Sequence, residues 1–234
     1  MTVVKARRGS FYWKNDLPYV SVTNALSVID KPALRYWFGQ QIFRAYAANP
    51  NLNEKEALQA PWKTTHKAAD RGTTVHSIVE SWKQTKEHIK TIPPQYKGYA
   101  EAFYKWVESN HVEVVENEKS VYSDKYQFAG TLDLLAKING RKDITIVDIK
   151  TGKNLYPEVQ LQISAYKQAL KEQGIEATQS ALLLKEDGSY KYEEYTQDRL
   201  DEFLACLKLW QWKNKDKYDD AVKFRQLSLI KTKY

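Results

Sequence analysis

The spacing of apolar residues along this chain changes character twice. Up to about residue 110 it follows the three- and four-residue steps of a helix face. Val75, Ile78, Val79 and Trp82 form one such stripe in "TTHKAADRGTTVHSIVESWKQT". Tyr96, Tyr99, Phe103 and Trp106 form another after Pro94. Earlier, residues 11–20 read as a short strand or hairpin arm. "SVTNALSVIDKPALRYWFGQQIFRAYAANP" reads as two helices broken near Pro32, with Ser21 or Thr23 as an N-cap. "NLNEKEAL" reads as a short helix stopping before Pro61.

The period then drops to two. "VEVVENEKSVYS", "KYQFAGTLDLLAKI" and "KDITIVDIKTG" are three strands, the last two joined at Asn139-Gly140, a strong hairpin signal. A helix follows in "YPEVQLQISAYKQALKEQG", closed by Gly174. Two more strands flank Asp187-Gly188, and the remaining C-terminal residues are helical. Helices, three antiparallel strands, a helix and further strands predict an α/β sandwich around a mixed sheet.

Bulk properties narrow the partners. The chain has 234 residues, long enough for a substantial core, and a formal net charge of +7 that favours anionic partners, nucleic acid first. Its one cysteine, Cys206, excludes an internal disulfide, a zinc knuckle and an iron–sulfur cluster. In "FLACLKLW" that cysteine reads as a small buried apolar residue. No run approaches the roughly 18 apolar residues of a membrane span, and no apolar leader stands at the start, so no membrane partner is expected. The expected location is the cytoplasm of a bacterial or phage-infected cell. The basic start "MTVVKARRGSFYWKND" leaves a mitochondrial address open.

The chemistry gathers at "ITIVDIKTGK", residues 144–153. Asp148 and Lys150 lie two apart on a strand and share a face. Asp133 falls between leucines on the partner strand, an expensive place for an unpaired carboxylate. Two acids on adjacent strands repel unless a cation holds them, and oxygen ligands so arranged suit Mg²⁺ or Mn²⁺. Gly130 permits close approach there. His76 borders the apolar stripe of its helix, with Glu80 one turn on. The bland alternative is a solvated histidine with an i,i+4 acid. Gln162 and Tyr166 are one turn apart on the next helix. They are either a surface glutamine and a buried tyrosine, or hydrogen-bonding tips aimed at a phosphate or at Lys150. Gln160 lies on another helical face.

"RGTTVHSIVE", "AGTLDLL", "VDIKTGK" and "QLQISAY" together resemble the four ordered motifs of the PD-(D/E)XK nuclease superfamily, in its RecB-type branch with a motif-one histidine, GxxD, DxK and QxxxY. The resemblance spans roughly residues 70–170. "YVSVTNALSVIDKPALRYW" further resembles the N-terminal arm of phage-encoded and mitochondrial-genome-maintenance-type exonucleases. Two departures stand out: the iron–sulfur cysteines of some RecB-type relatives are missing, and no helicase motor is present. The resemblance implies an α/β, restriction-endonuclease-like core of a mixed sheet flanked by helices, in the order αβββαβ. An N-terminal helical arm (1–60), the core (61–200) and a C-terminal helical extension (201–234) would make one compact domain. It implies that His76, Asp133, Asp148 and the main-chain carbonyl of Ile149 hold one or two Mg²⁺ or Mn²⁺ ions. Lys150 would activate or position the attacking water, and Gln162 and Tyr166 would orient Lys150 or the DNA backbone. Glu80 would hold a second metal or support the first, and Glu118 would have a supporting role.

Every motif position is filled, so the expectation is an active, metal-dependent DNA exonuclease preferring single strands or free ends, working beside recombination or replication proteins. A flap or branch endonuclease on the same site is one alternative. A DNA-binding module of a recombination or packaging complex is another, and RNA remains open as substrate. Tyr36, Trp37 and Phe38 would either stack bases or pack in the core. The C-terminal "KLWQWKNKDKYDDAVKFRQ" invites a DNA-binding reading, but an amphipathic helix turning Leu207, Trp210 and Phe224 inward is preferred.

Overall fold

In the computed structural model, residues 4–5, 11–15, 17–85, 87–89 and 91–231 are described. The chain opens with strands β1 (Val4–Lys5), β2 (Phe11–Lys14) and β3 (Leu17–Ser21). Helix α1 (Val22–Ala25) follows. Ser21 caps it by accepting a hydrogen bond from Asn24 N, and a 3₁₀ turn continues it. Next come α2 (Pro32–Ala48), α3 (Glu54–Thr85) and α4 (Lys97–Ser109). Strands β4 (Glu113–Ser123), β5 (Phe128–Lys137) and β6 (Ile144–Lys150) lead to α5 (Pro157–Glu172). Strands β7 (Ala177–Leu184) and β8 (Tyr190–Tyr195) and helices α6 (Leu200–Lys213) and α7 (Lys215–Lys231) complete the order.

Pro61 does not stop a helix: it lies inside α3. Proline removes one hydrogen bond and strains one turn, but here both flanks hold the helix together. Ahead of it, Asn53 and Glu56 form a reciprocal cap, Glu56 N donating to Asn53 Oδ1 at 2.9 Å and Asn53 N to Glu56 Oε2 at 3.1 Å. Behind it, Val75, Ile78, Val79 and Trp82 are all buried. The C-terminal segment also breaks, at Asn214, whose side chain bonds the carbonyl of Trp210. Leu207 and Trp210 are buried as the apolar pattern predicts; the side chain of Phe224 lies outside the described residues.

The eight strands among the described residues form one mixed sheet, in which β5 touches three neighbours. Along one edge β4 pairs with it antiparallel, from Glu113 opposite Lys137 to Ser123 opposite Phe128. The other edge is shared. Strand β3 runs parallel to its start, at Phe128 and Ala129, and β6 runs antiparallel to its end, at Leu134, Leu135 and Ala136. Residues 130–133 therefore have no strand partner on that side. The β5–β6 turn has Asn139 at φ 53° and Gly140 at φ 70°, the double positive φ that a two-residue hairpin turn requires.

Helices cover both faces. Helices α5, α6 and α1 pack over Val20, Phe128, Leu132, Leu135 and Ile146. Helices α3 and α4 pack over Leu134, Ala136, Val147, Ile149 and Leu182. Leu132 and Leu134 are two apart yet belong to opposite layers. Strict alternation forbids that, so the pleat slips by one residue at Asp133.

Candidate active site

The slip at Asp133 has a counterpart across the ladder. Glu118 of β4 sits between Asn117, which faces Leu134, and Lys119, which faces Leu132. Its φ is +47°, and it is the one non-glycine residue with positive φ inside a strand among the described residues; Asn15, His111, Gln127 and Asn139 lie in turns. A left-handed backbone costs an ordinary residue about 1–2 kcal/mol, and such outliers cluster at functional sites.

Helix α3 brings His76 over this pair. Its Nδ1 lies 2.9 Å from Glu118 Oε1 and 3.5 Å from Asp133 Oδ1. The other carboxylate oxygen of Asp133 accepts the amide of Ile149 at 2.6 Å, so a side chain does there what a strand partner does elsewhere. On β6 the alternation turns Asp148 and Lys150 toward α5. Lys150 Nζ stands 2.6 Å from Asp148 Oδ2. Gln162 clamps both, donating to Asp148 Oδ1 at 3.0 Å and accepting from Lys150 at 3.4 Å. Its amide also donates to Tyr166 at 3.0 Å. The Tyr166 ring leaves no room for a side chain at position 130: a Cβ there would stand 2.5 Å from its Cε1. Gly130 is thus a packing requirement of the tyrosine.

Charge and burial compete throughout. Burial, with Asp148 nearby, raises the Asp133 carboxyl to about 7, against the pull of His76, Lys150 and the Ile149 amide. Burial pulls the His76 imidazole down, but the Glu118 hydrogen bond and the charges of Asp133 and Glu118 carry it above its ordinary value. Burial likewise opposes the charge on Lys150, and Asp148 and Asp133 outweigh it, so its ammonium is held more firmly than in water. Tyr166 is pushed well up by burial and stays a neutral phenol.

These groups open onto a cleft of about 330 Å³. Its walls include His76, Glu118, Asp133, Lys150, Gln162 and Tyr166, with Ile149 and Gly130. Asp148 lies beneath, 1% exposed. Glu80 is exposed and does not line the cleft, and Gln160 turns away to bond the carbonyl of Gln197. The cleft is also lined by hydroxyls that periodicity did not single out as site groups. Tyr12 OH meets Thr131 Oγ1 at 3.2 Å, and Ser21 Oγ meets Thr23 Oγ1 at 2.8 Å. The only sequence signal among them was the capping role of Ser21 or Thr23.

The donor set fits a divalent cation. One ligand atom each from His76, Glu118 and Asp133 lies within 4.8 Å of the others. Asp148 Oδ2 is buried and, despite the nearby ammonium, has no aligned hydrogen-bond donor. Carboxylate oxygens favour hard divalent cations, and the one imidazole is a ligand that softer divalent metals share.

Away from the cleft, α2 has no buried residue. Tyr36 is 71% exposed, so it is not part of the core. Trp37, Phe38 and Trp62 instead make an edge-to-face run, at 5.4 Å for each successive pair, between α2 and the start of α3.

The sequence profile of the PD-(D/E)XK nuclease superfamily matches residues 96–213, and the chain belongs to that superfamily. The matched span contains Glu118, Asp133, Asp148, Lys150, Gln162 and Tyr166; His76 precedes it. A search of curated proteins gives no match. Two crystal structures of an alkaline exonuclease, LHK-Exo from Laribacter hongkongensis, one in complex with dAMP, are similar over 92% of this chain and 94% of theirs. Identity is 11% and the TM-scores are 0.46 and 0.45, so distant a likeness that activity and substrate must be argued from the site itself. No helix among the described residues is long and apolar enough to cross a membrane.

Proposed function

We propose that the protein is a metal-dependent deoxyribonuclease of the RecB-type branch, acting as an exonuclease on single-stranded DNA or DNA ends. Its place of action would be the cytoplasm of a bacterial or phage-infected cell, beside recombination or replication proteins. One observation carries the reading. A cluster able to hold a cation and a lysine locked to a buried carboxylate open onto the same cleft.

His76, Asp133 and Asp148, with the carbonyl of Ile149, would hold Mg²⁺ or Mn²⁺. Such an ion, when bound, lowers the pKa of water and neutralises phosphate charge. The chain's own residues do the rest. Lys150 presents a compact cation to the scissile phosphate and to the incoming water. Gln162 fixes its position by binding it and Asp148 together, and Tyr166 fixes Gln162. The fold would divide into an arm over residues 1–60, the nuclease core over 61–200 and an extension over 201–234. The exposed aromatics of the arm offer flat faces to unpaired bases, which favours an end-fed single strand over an internal duplex site. The net charge of +7 favours the same polyanion.

The test is a time course on end-labelled linear and on circular single-stranded DNA, with Mg²⁺, Mn²⁺ or EDTA, beside Lys150→Ala. Metal-dependent loss of the linear substrate alone, abolished in the variant, supports the exonuclease. Cutting of the circle would replace it with an endonuclease. No cleavage at all would leave a DNA-binding module.

A further inference from the structure

The carboxylate of Glu118 has two available roles. It can orient His76, or it can bind the cation itself. A carboxylate that orients a metal-bound histidine holds the ring nitrogen facing away from the ion. Glu118 does not: it and Asp133 both approach Nδ1, at 2.9 and 3.5 Å. The two acids and the ring nitrogen converge on one point, within 4.8 Å of one another. The nearby ammonium groups are engaged elsewhere, Lys150 with Asp148 and Lys119 with Glu116. The left-handed backbone at Glu118 turns its side chain into this cluster from a strand where that conformation is unfavourable. Asp148, in contrast, is held by Gln162 and Lys150.

We infer that Glu118 is a metal ligand in its own right, converging with His76 and Asp133 on one Mg²⁺ or Mn²⁺, and that its backbone conformation is retained for that purpose. This rests on the metal-dependent reading above and sharpens its ligand set.

Calorimetric titration of the full chain with Mn²⁺, without DNA, tests both at separate points. Glu118→Asn suits the position, because asparagine tolerates the left-handed region and carries no charge. It should bind Mn²⁺ more than about 100-fold more weakly than the wild type, beyond the loss that removing an orienting partner brings, while its metal-free melting temperature holds or rises. Glu80→Gln should bind as the wild type does. Glu118→Cys adds a direct readout of coordination: a sulfur-to-metal charge-transfer band on adding Cd²⁺. The wild type, whose one thiol is Cys206, supplies the blank. The band supports ligation. Its absence in a folded variant overturns it and leaves Glu118 as a positioning residue. Should Glu118→Cys fail to fold, the asparagine variant decides, and a loss of Mn²⁺ affinity there of about 100-fold or less overturns the inference. A wild type that binds no Mn²⁺ would instead remove the metal-dependent function, and this inference with it.

Discussion

The two halves of α3 are one continuous helix in two different settings. The second half lays Val75, Ile78, Val79 and Trp82 against the sheet, all buried, and thereby sets His76 over Glu118 and Asp133. The first half packs beside α2 through Trp62 against Phe38; Ala57 is buried there, but Leu58 and Trp62 remain about half exposed. A ligand must be held to a fraction of an ångström, so its helix is anchored by a packed core. A surface that takes a flexible polymer needs only to present flat faces, and exposed aromatics do so at little cost in order. On the proposed reading, α3 would link a firmly packed site to an exposed aromatic surface through one unbroken backbone.

The largest expected effect lies wholly on the anchored side. Lys150→Ala should lower kcat by about 10²–10³-fold, the scale of losing one preorganised charge-stabilising group. Binding of DNA to the arm should be little changed. A filter-binding assay beside single-turnover cleavage separates the two, and equal loss of both would erase the distinction between the halves.

Next in size is a pair of tryptophans on the same helix. Trp82→Ala removes a buried ring packed edge-on against Phe103 at 5.6 Å and should cost about 3–5 kcal/mol in urea unfolding. Trp62→Ala removes a ring 56% exposed and should cost less than about 0.5 kcal/mol. It should still weaken single-stranded DNA binding, by about 1–3 kcal/mol if a base stacks there. Equal stability losses would mean the first half is packed after all. A smaller effect is expected from Gly130→Ala. The added methyl meets the Tyr166 ring and should cost about 1–3 kcal/mol of overpacking, with a fall in kcat as Gln162 loses its tyrosine partner.

The anchored half was far more legible in the sequence than the free one. Burial on one face imposes period, and period is what a single sequence displays: the stripe of α3, the alternation of β4 to β6 and the Asn139-Gly140 turn all read directly. Glu80, picked out as a ligand, faces solvent outside the cleft, because an i,i+4 relation to His76 says nothing of which way the helix is rolled. Glu118 was named through the resemblance as a supporting acid, but its approach to His76 was not legible, since it depends on a left-handed φ that no residue type signals here. The adjacent pair Leu134-Leu135 was the one trace of the pleat slip. Pro61 misled because the Asn53–Glu56 cap and the downstream stripe together outweigh one proline. For α2, aromatic steps cannot distinguish a core face from an exposed one, and only the tertiary structure decides.

The smallest prediction concerns the point where the free region is tied down. Lys31, at the foot of α2, pairs with Glu158 in the first turn of α5 at 2.8 Å. Burial raises the Glu158 carboxyl, but the Lys31 hydrogen bond, its own backbone amide and the charges of Lys31 and Lys150 carry it below the ordinary glutamate range. A carboxyl depressed on folding stabilises the protein above its unfolded pKa, about 4.5, and loses that contribution as pH falls through the lower folded value. Lys31 is half exposed, which limits the pair to about 0.5–1 kcal/mol. Its loss should be felt first in α2. Amide exchange in α2 should quicken relative to β5 as pH drops below about 4.5, after correction for intrinsic rates, or as salt rises at neutral pH. Lys31→Gln should show the quickened exchange already at neutral pH and respond to neither acid nor salt. If exchange in α2 instead tracks β5 under every condition, the arm and the core open as one unit, and the contrast between the two halves of α3 is one of exposure without a difference in stability.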